Sequence, residues 1–171
     1  MQRLYIGEAE ATIDAKNRVT VPKKFKGMLP AAQGGVITVW LVPGYKEVAF
    51  SVMDDIEGSA WAERIARVGA GSGPAVRIKK LLERSERVEL DTAGRILLPP
   101  SFMKRCGLSG KELVITGGGD SLRVYEKAVY ERMLDESEDE SNEDLWDAFQ
   151  DLGAVPTVAV REETQGADAN A

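Results

Sequence analysis

A nine-residue stretch occurs twice in this chain, and no other feature constrains its fold as strongly. Asp14-Ala15-Lys16-Asn17-Arg18-Val19-Thr20-Val21-Pro22 returns 77 residues later as Asp91-Thr92-Ala93-Gly94-Arg95-Ile96-Leu97-Leu98-Pro99. Asp14 matches Asp91, Arg18 matches Arg95, Pro22 matches Pro99, and Phe25 matches Phe102 at the same spacing. The apolar pair Val19 and Val21 matches Ile96 and Leu98. Asn17 matches Gly94, the two residue types that most readily adopt positive φ. Internal self-similarity of this kind is the signature of a duplicated supersecondary unit.

Each copy reads as strand, tight turn, strand, short helix. Ala11-Thr12-Ile13 and Val88-Glu89-Leu90 alternate apolar and polar before the turn. The turn needs a left-handed residue, which Asn17 or Gly94 supplies. The second strand alternates again and ends at Pro22 or Pro99, and proline can open a helix. One-turn helices are therefore expected from Pro22 to Lys26 and from Pro100 to Arg105. Further strands are expected at 36–40 and 113–116, and a last one in each copy at 47–50 and 122–125. Between the copies, Ile56, Trp61, Ile65 and Val68 recur at helical spacing from Asp54 onward, and a second helix is expected over Ala75 to Arg84. After the second copy, Glu126 to Leu134 reads as a helix with Val129, Tyr130 and Met133 on one face. Ser141 to Asp144 reads as the cap of another, carrying Leu145, Trp146, Phe149 and Leu152. The small polar residues beyond Pro156 point to disorder.

Composition removes whole classes of chemistry. The 171 residues include no histidine and a single cysteine, Cys106. That excludes a Ser-His-Asp triad, a Cys-His pair, an imidazole metal ligand and an intrachain disulfide. No run approaches the 18 apolar residues of a membrane span, and Met1 to Glu10 lacks the apolar stretch of a signal peptide. Charge is informative only once divided. Residues 1–130 hold 20 Lys/Arg against 15 Asp/Glu, a net +5, whereas residues 131–171 hold 13 Asp/Glu against Arg132 and Arg161, a net −11. A basic body with an acidic extension fits a nucleic-acid-binding protein, and equally an ordinary domain with a solubilising tail. Gly69 to Gly73 lacks the lysine and preceding strand of a phosphate loop. Glu138-Asp139-Glu140 reads as a solvated acidic stretch.

The paired Asp-x-x-(Gly/Asn)-Arg-(apolar)-x-(apolar)-Pro motifs, with Tyr5-Ile6-Gly7-Glu8 ahead of them, resemble the MraZ family of bacterial transcriptional regulators within the AbrB-like swapped-hairpin superfamily. The resemblance covers about residues 1–134 and stops short of the acidic tail. It implies an α+β fold of two tandem AbrB-like swapped-hairpin units forming a pseudo-twofold β-barrel, with flanking helices and a partly disordered C-terminal tail. The units would span residues 5–51 and 87–128, joined by a helical connector at 52–86 and followed by a helix and tail at 129–171. It also implies ring-like homo-oligomers binding direct repeats in double-stranded DNA upstream of a cell-division and cell-wall gene cluster, in the cytoplasm and at the nucleoid. The family's DNA-contacting turn falls on Lys16, Asn17 and Arg18, with Gly94 and Arg95 as the second copy and Arg3 as an N-terminal basic position. Asn17 stands where the family usually has glycine, and Ala93 stands where the first copy has Lys16, so the first turn is expected to carry more of the contact.

The residues themselves support this chemistry. Arginine can donate two parallel hydrogen bonds to guanine, and lysine offers phosphate a point charge. Lys23, Lys24 and Lys26 would widen the basic face. The competing reading is that Arg18 and Arg95 pair with Asp14 and Asp91 to lock each hairpin, and both roles can coexist. No catalysis, cofactor, metal, membrane or small-molecule substrate is expected. The other functional readings are an AbrB-type antitoxin or repressor and a protein-binding adaptor using Trp40, Trp61 or the 145–152 helix.

Overall fold

Alternation in Val19-Thr20-Val21 and Ile96-Leu97-Leu98 calls for strands with one buried face, and the structure supplies it. In the computed structural model, which describes residues 3–69, 71, 73–137 and 142–151, Val19, Val21, Ile96 and Leu98 are all buried. The first copy forms β1 (Glu8–Thr12), β2 (Arg18–Thr20), the one-turn helix α1 (Lys23–Lys26), β3 (Thr38–Pro43) and β4 (Phe50–Asp54). Helices α2 (Asp55–Ala66) and α3 (Gly73–Glu83) connect it to the second. That copy forms β5 (Glu86–Glu89), β6 (Arg95–Leu97), α4 (Pro100–Arg105), β7 (Glu112–Gly117) and β8 (Leu122–Glu126). Helices α5 (Lys127–Glu136) and α6 (Asn142–Asp151) follow. The chain divides into two compact units, Met1–Glu131 and Arg132–Ala171.

The strands make a six-stranded antiparallel sheet in the order β1-β7-β8-β4-β3-β5 and a separate two-stranded ribbon, β2-β6. The order is a palindrome. The first strand of each copy pairs with the third strand of the other: β1 with β7, and β5 with β3. At the centre β4 and β8 pair through Ser51 and Arg123, and in the ribbon β2 and β6 pair through Val19 and Ile96. The hydrogen bonds repeat the match. The Val21 amide donates to the Gly94 carbonyl at 2.9 Å and the Leu98 amide to Asn17 at 2.8 Å. Likewise the Ile13 amide donates to Lys111 at 2.7 Å and the Leu90 amide to Ile37 at 2.9 Å.

Between sheet and ribbon lies the core. Phe25 of α1 and Phe102 of α4 are fully buried, and Phe102 meets Phe50 edge-on with ring centroids 5.5 Å apart. Tyr5 is also fully buried and its hydroxyl donates to Asp54 at 2.8 Å. The other Asp54 carboxylate oxygen accepts from the Ile56 and Glu57 amides, capping α2. Burial, together with the bond to Asp54, pushes the Tyr5 hydroxyl well above its ordinary titration range.

Three expectations are corrected. The barrel is not closed. β2 and β6 are three residues long and run into Pro22 and Pro99, which have no N–H to extend a ladder. Among the described residues, one isolated bridge outside the ribbon's own pairing, Ile13 to Val19, reaches β2, and the ribbon otherwise meets the sheet through the shared core. The last strand of the first copy starts at Phe50, not Glu47, because residues 44–49 close a tight loop in which the Gly44 amide donates to the Ala49 carbonyl at 3.0 Å. Ile56 is exposed rather than on the packed face of α2. That face presents Gly58 and Ile65, and a methyl at Gly58 would lie 2.2 Å from the Trp40 indole. The acidic run at 138–140, Leu152 and the tail beyond Pro156 lie outside the described residues.

Because Phe102 closes the core from its one-turn helix, Phe102→Ala should cost about 3–5 kcal/mol in urea unfolding. A loss below about 1 kcal/mol would mean that α4 does not anchor the ribbon to the sheet.

Candidate nucleic-acid interface

Both turns are built by the same short-range chemistry. One Asp14 carboxylate oxygen accepts from the Lys16 amide at 2.8 Å and the Arg18 amide at 2.9 Å. The Asn17 amide closes the turn onto the Asp14 carbonyl at 3.0 Å. Asp91 accepts from the Ala93 and Arg95 amides at 2.9 and 3.0 Å, and the Gly94 amide returns to the Asp91 carbonyl at 2.9 Å. Asn17 sits at φ 59° and Gly94 at φ 76°, the left-handed conformation both turns require.

The second carboxylate oxygen of each Asp takes the arginine. Arg18 Nε donates to Asp14 at 2.8 Å, and Arg95 Nε donates to Asp91 at 2.6 Å. The locking role weighed for these arginines is therefore present in both copies. It uses one edge of each guanidinium only. No described residue accepts a hydrogen bond from the terminal amino groups of either arginine, whose side chains remain 28% and 33% exposed. The Arg18 amide bonded to Asp14, with the arginine side chain and the Lys16 amide adding to it, holds that carboxyl below its ordinary range. The Arg95 amide, its side chain and the Ala93 amide do the same for Asp91.

Ribbon register decides where these groups point. Arg18 stands opposite Leu97 and Thr20 opposite Arg95, while Val19 and Ile96 face inward. Strand alternation therefore puts Arg18, Thr20, Arg95 and Leu97 together on the outward face. The two arginines are diagonal neighbours, which in a regular antiparallel pair means about 7–8 Å between backbones. A two-stranded ribbon is narrow enough to enter the major groove of DNA. This gathering of side chains from both copies onto one face is invisible in either copy alone. Only the cross-ribbon register creates it.

Other singled-out residues stand as follows. Lys16 is exposed at the tip of the first turn. Gly94 is buried, and the reason is Lys26, whose chain lies across it: a methyl at Gly94 would be 2.9 Å from the Lys26 Nζ. The second turn lacks a lysine of its own but has this one from the first copy, a placement the linear sequence does not reveal. Lys23 and Lys24 are exposed on α1, Lys24 donating to the Glu8 carbonyl at 3.3 Å. Arg3 donates to the Met28 carbonyl just past α1 at 3.4 Å. Trp40 is half-buried and donates to Asp55 at 3.0 Å. Burial pushes the Cys106 thiol up to about 11, which leaves it a poor nucleophile. Among the described residues no cluster of three carboxylates or thiols is arranged to hold a metal, and no helix is long and apolar enough to cross a membrane.

Comparison with known proteins adds a second line. A family model described as "MraZ protein, putative antitoxin-like" matches residues 81–152, which include the second turn. A protein of Anaeromyxobacter sp. (strain Fw109-5) named "Transcriptional regulator MraZ" is 31% identical over 137 residues, covering 78% of this chain and 90% of the relative. One of the same name from Acidovorax sp. (strain JS42) is 30% identical over 128 residues, covering 75% and 86%. Another, from Leuconostoc citreum (strain KM20), is 25% identical over 123 residues, covering 71% and 80%.

Two outcomes follow for the turns. Replacing Asn17 by Gly should leave stability nearly unchanged, whereas Asn17→Val should cost about 1–2 kcal/mol in thermal or urea unfolding, because a β-branched residue resists the left-handed region. Equal stability of the two variants would contradict the turn geometry. The carboxyls of Asp14 and Asp91 are depressed in the folded state, so their stabilising effect is full above the unfolded value of about 3.9 and fades as pH falls through the lower folded values. Carboxyl carbon NMR titration should give both midpoints below 3.8. Midpoints at or above that value would remove the proposed lock.

Proposed function

This chain belongs to the MraZ family, and from that premise we propose that it is a sequence-specific DNA-binding transcriptional regulator working through the outward face of the β2-β6 ribbon. The observation that carries the reading is the paired Asp–Arg arrangement. Each aspartate holds its arginine by Nε, and no described residue accepts a hydrogen bond from the terminal amino groups, which stay available to a partner. Those groups carry the geometry that guanine O6 and N7 accept. A side chain already held in one conformation loses less entropy on binding. Lys16 at the first tip and Lys26 beside the second turn supply phosphate contacts on either side. Asn17 and Gly94 act by allowing the turn rather than by touching bases. Arg3 adds a phosphate contact.

One ribbon carries few cations, so a single protomer binds weakly at physiological salt. Several ribbons on one ring-like homo-oligomer, meeting direct repeats in one duplex, gain by effective concentration. The regulated DNA on this reading is the promoter of the chain's own operon, in a cell-division and cell-wall gene cluster. The chemistry is recognition without catalysis, carried out in the cytoplasm at the nucleoid.

Gel-shift or anisotropy titration of DNA from upstream of the gene tests the reading. Arg18→Ala and Arg95→Ala should each weaken binding by about 1–3 kcal/mol and relax base preference. Lys16→Ala should weaken all sequences alike and lower the slope of log affinity against log salt by about one. A wild-type protein that binds no duplex at low salt, or folded arginine variants that bind as tightly as wild type, would contradict it.

A further inference from the structure

The ribbon's outward face is symmetric in its arginines and asymmetric in its other two members. The relation that carries Arg18 onto Arg95 carries Thr20 onto Leu97. Thr20 brings a hydroxyl beside one methyl, and the hydroxyl, which donates or accepts, tolerates several base edges. Leu97 brings only methyl and methylene groups, and it is 57% exposed. Leu97 stands opposite Arg18, two residues from Arg95 and diagonal to Thr20, so its outward neighbours within the paired ribbon are charged or polar. A protein contact centred on it would bury both arginine edges along with it, at the cost of desolvating two charges. A DNA contact instead matches all four groups at once. The single feature of a major-groove base edge that favours a purely apolar side chain is the 5-methyl group of thymine.

We propose that Leu97 is a specificity-determining residue that packs on a thymine methyl beside the guanine contacts of Arg18 and Arg95. This rests on the reading of the ribbon as a DNA-binding face. The pseudo-twofold ribbon thereby reads a non-palindromic element: a guanine is taken by each arginine, while the Leu97 side takes only a thymine methyl and the Thr20 side tolerates several base edges. A protein whose recognition unit is internally two-fold but chemically directional binds its element in one orientation.

The test uses the full chain and a duplex enriched from a random pool by the wild-type protein. Each thymine in the enriched element is replaced singly by deoxyuridine, which deletes the methyl and nothing else. Wild-type affinity should fall about fourfold at one thymine position per element, the loss set by about 0.8 kcal/mol for one buried methyl. Leu97→Ser, which removes every methyl, should bind the uracil and thymine forms of that position equally while remaining sensitive to its guanines. Four results each overturn the proposal. Wild type is indifferent to uracil at every position although Arg18→Ala and Arg95→Ala lose binding; here the DNA-binding reading survives and only the role of Leu97 falls. Leu97→Ser keeps the same uracil penalty. Leu97→Ser changes the oligomer mass by light scattering, which makes the residue a protein contact. No sequence is enriched at all, which defeats the underlying reading as well.

Discussion

Everything in this molecule depends on two three-residue strands pairing with each other rather than with the sheet beside them. β2 and β6 come from opposite copies of the repeat and meet through Val19 and Ile96. The Val21–Gly94 and Leu98–Asn17 hydrogen bonds, 2.9 and 2.8 Å, extend that pairing into the two turns themselves. Each turn is thereby fastened to the far end of the other copy's strand. The carbonyls that accept these bonds belong to Asn17 and Gly94, the residues in the left-handed conformation. Turn shape and ribbon pairing are thus one constraint. Burial of Val19, Val21, Ile96 and Leu98 against Phe25 and Phe102 supplies most of the driving force, since a two-stranded ribbon alone is marginal in water.

The Asp–Arg pair in each turn does two jobs that sequence reasoning sets against each other. Asp14 and Asp91 each accept two backbone amides with one oxygen and an arginine Nε with the other. The carboxylate shapes the turn and orients the guanidinium in the same act. Partial solvent exposure keeps the ion pair a small contributor to stability. Its larger consequence is preorganisation, because an arginine held by one edge presents the other in a defined direction.

Much of the architecture is legible in the duplicated motif. Apolar alternation identifies Val19, Val21, Ile96 and Leu98 as core, and their partners Phe25 and Phe102 are buried as the repeat implies. Pro22 and Pro99 stop the strands and precede the short helices α1 and α4. What the linear pattern does not contain is cross-copy pairing. The register that sets Arg18 opposite Leu97 and the lysine that lies across Gly94 depend on contacts between residues 79 and 68 apart in sequence. The open sheet escapes prediction for a related reason, because barrel closure depends on how far β2 and β6 extend, and alternation alone does not set strand ends. Loop 44–49 hides its geometry because Glu47 and Val48 carry strand-like residues in a segment closed by the Gly44–Ala49 bond. The arginines were identifiable as candidates, but their shared outward face with Thr20 and Leu97 was not.

Hydrogen–deuterium exchange of the full chain with and without its enriched duplex measures the central claim most directly. Protection should appear in the peptides spanning residues 14–20 and 91–97 together, since the register makes them one face. Protection confined to α2 and α3, with both turns exchanging as in the free protein, would contradict the account.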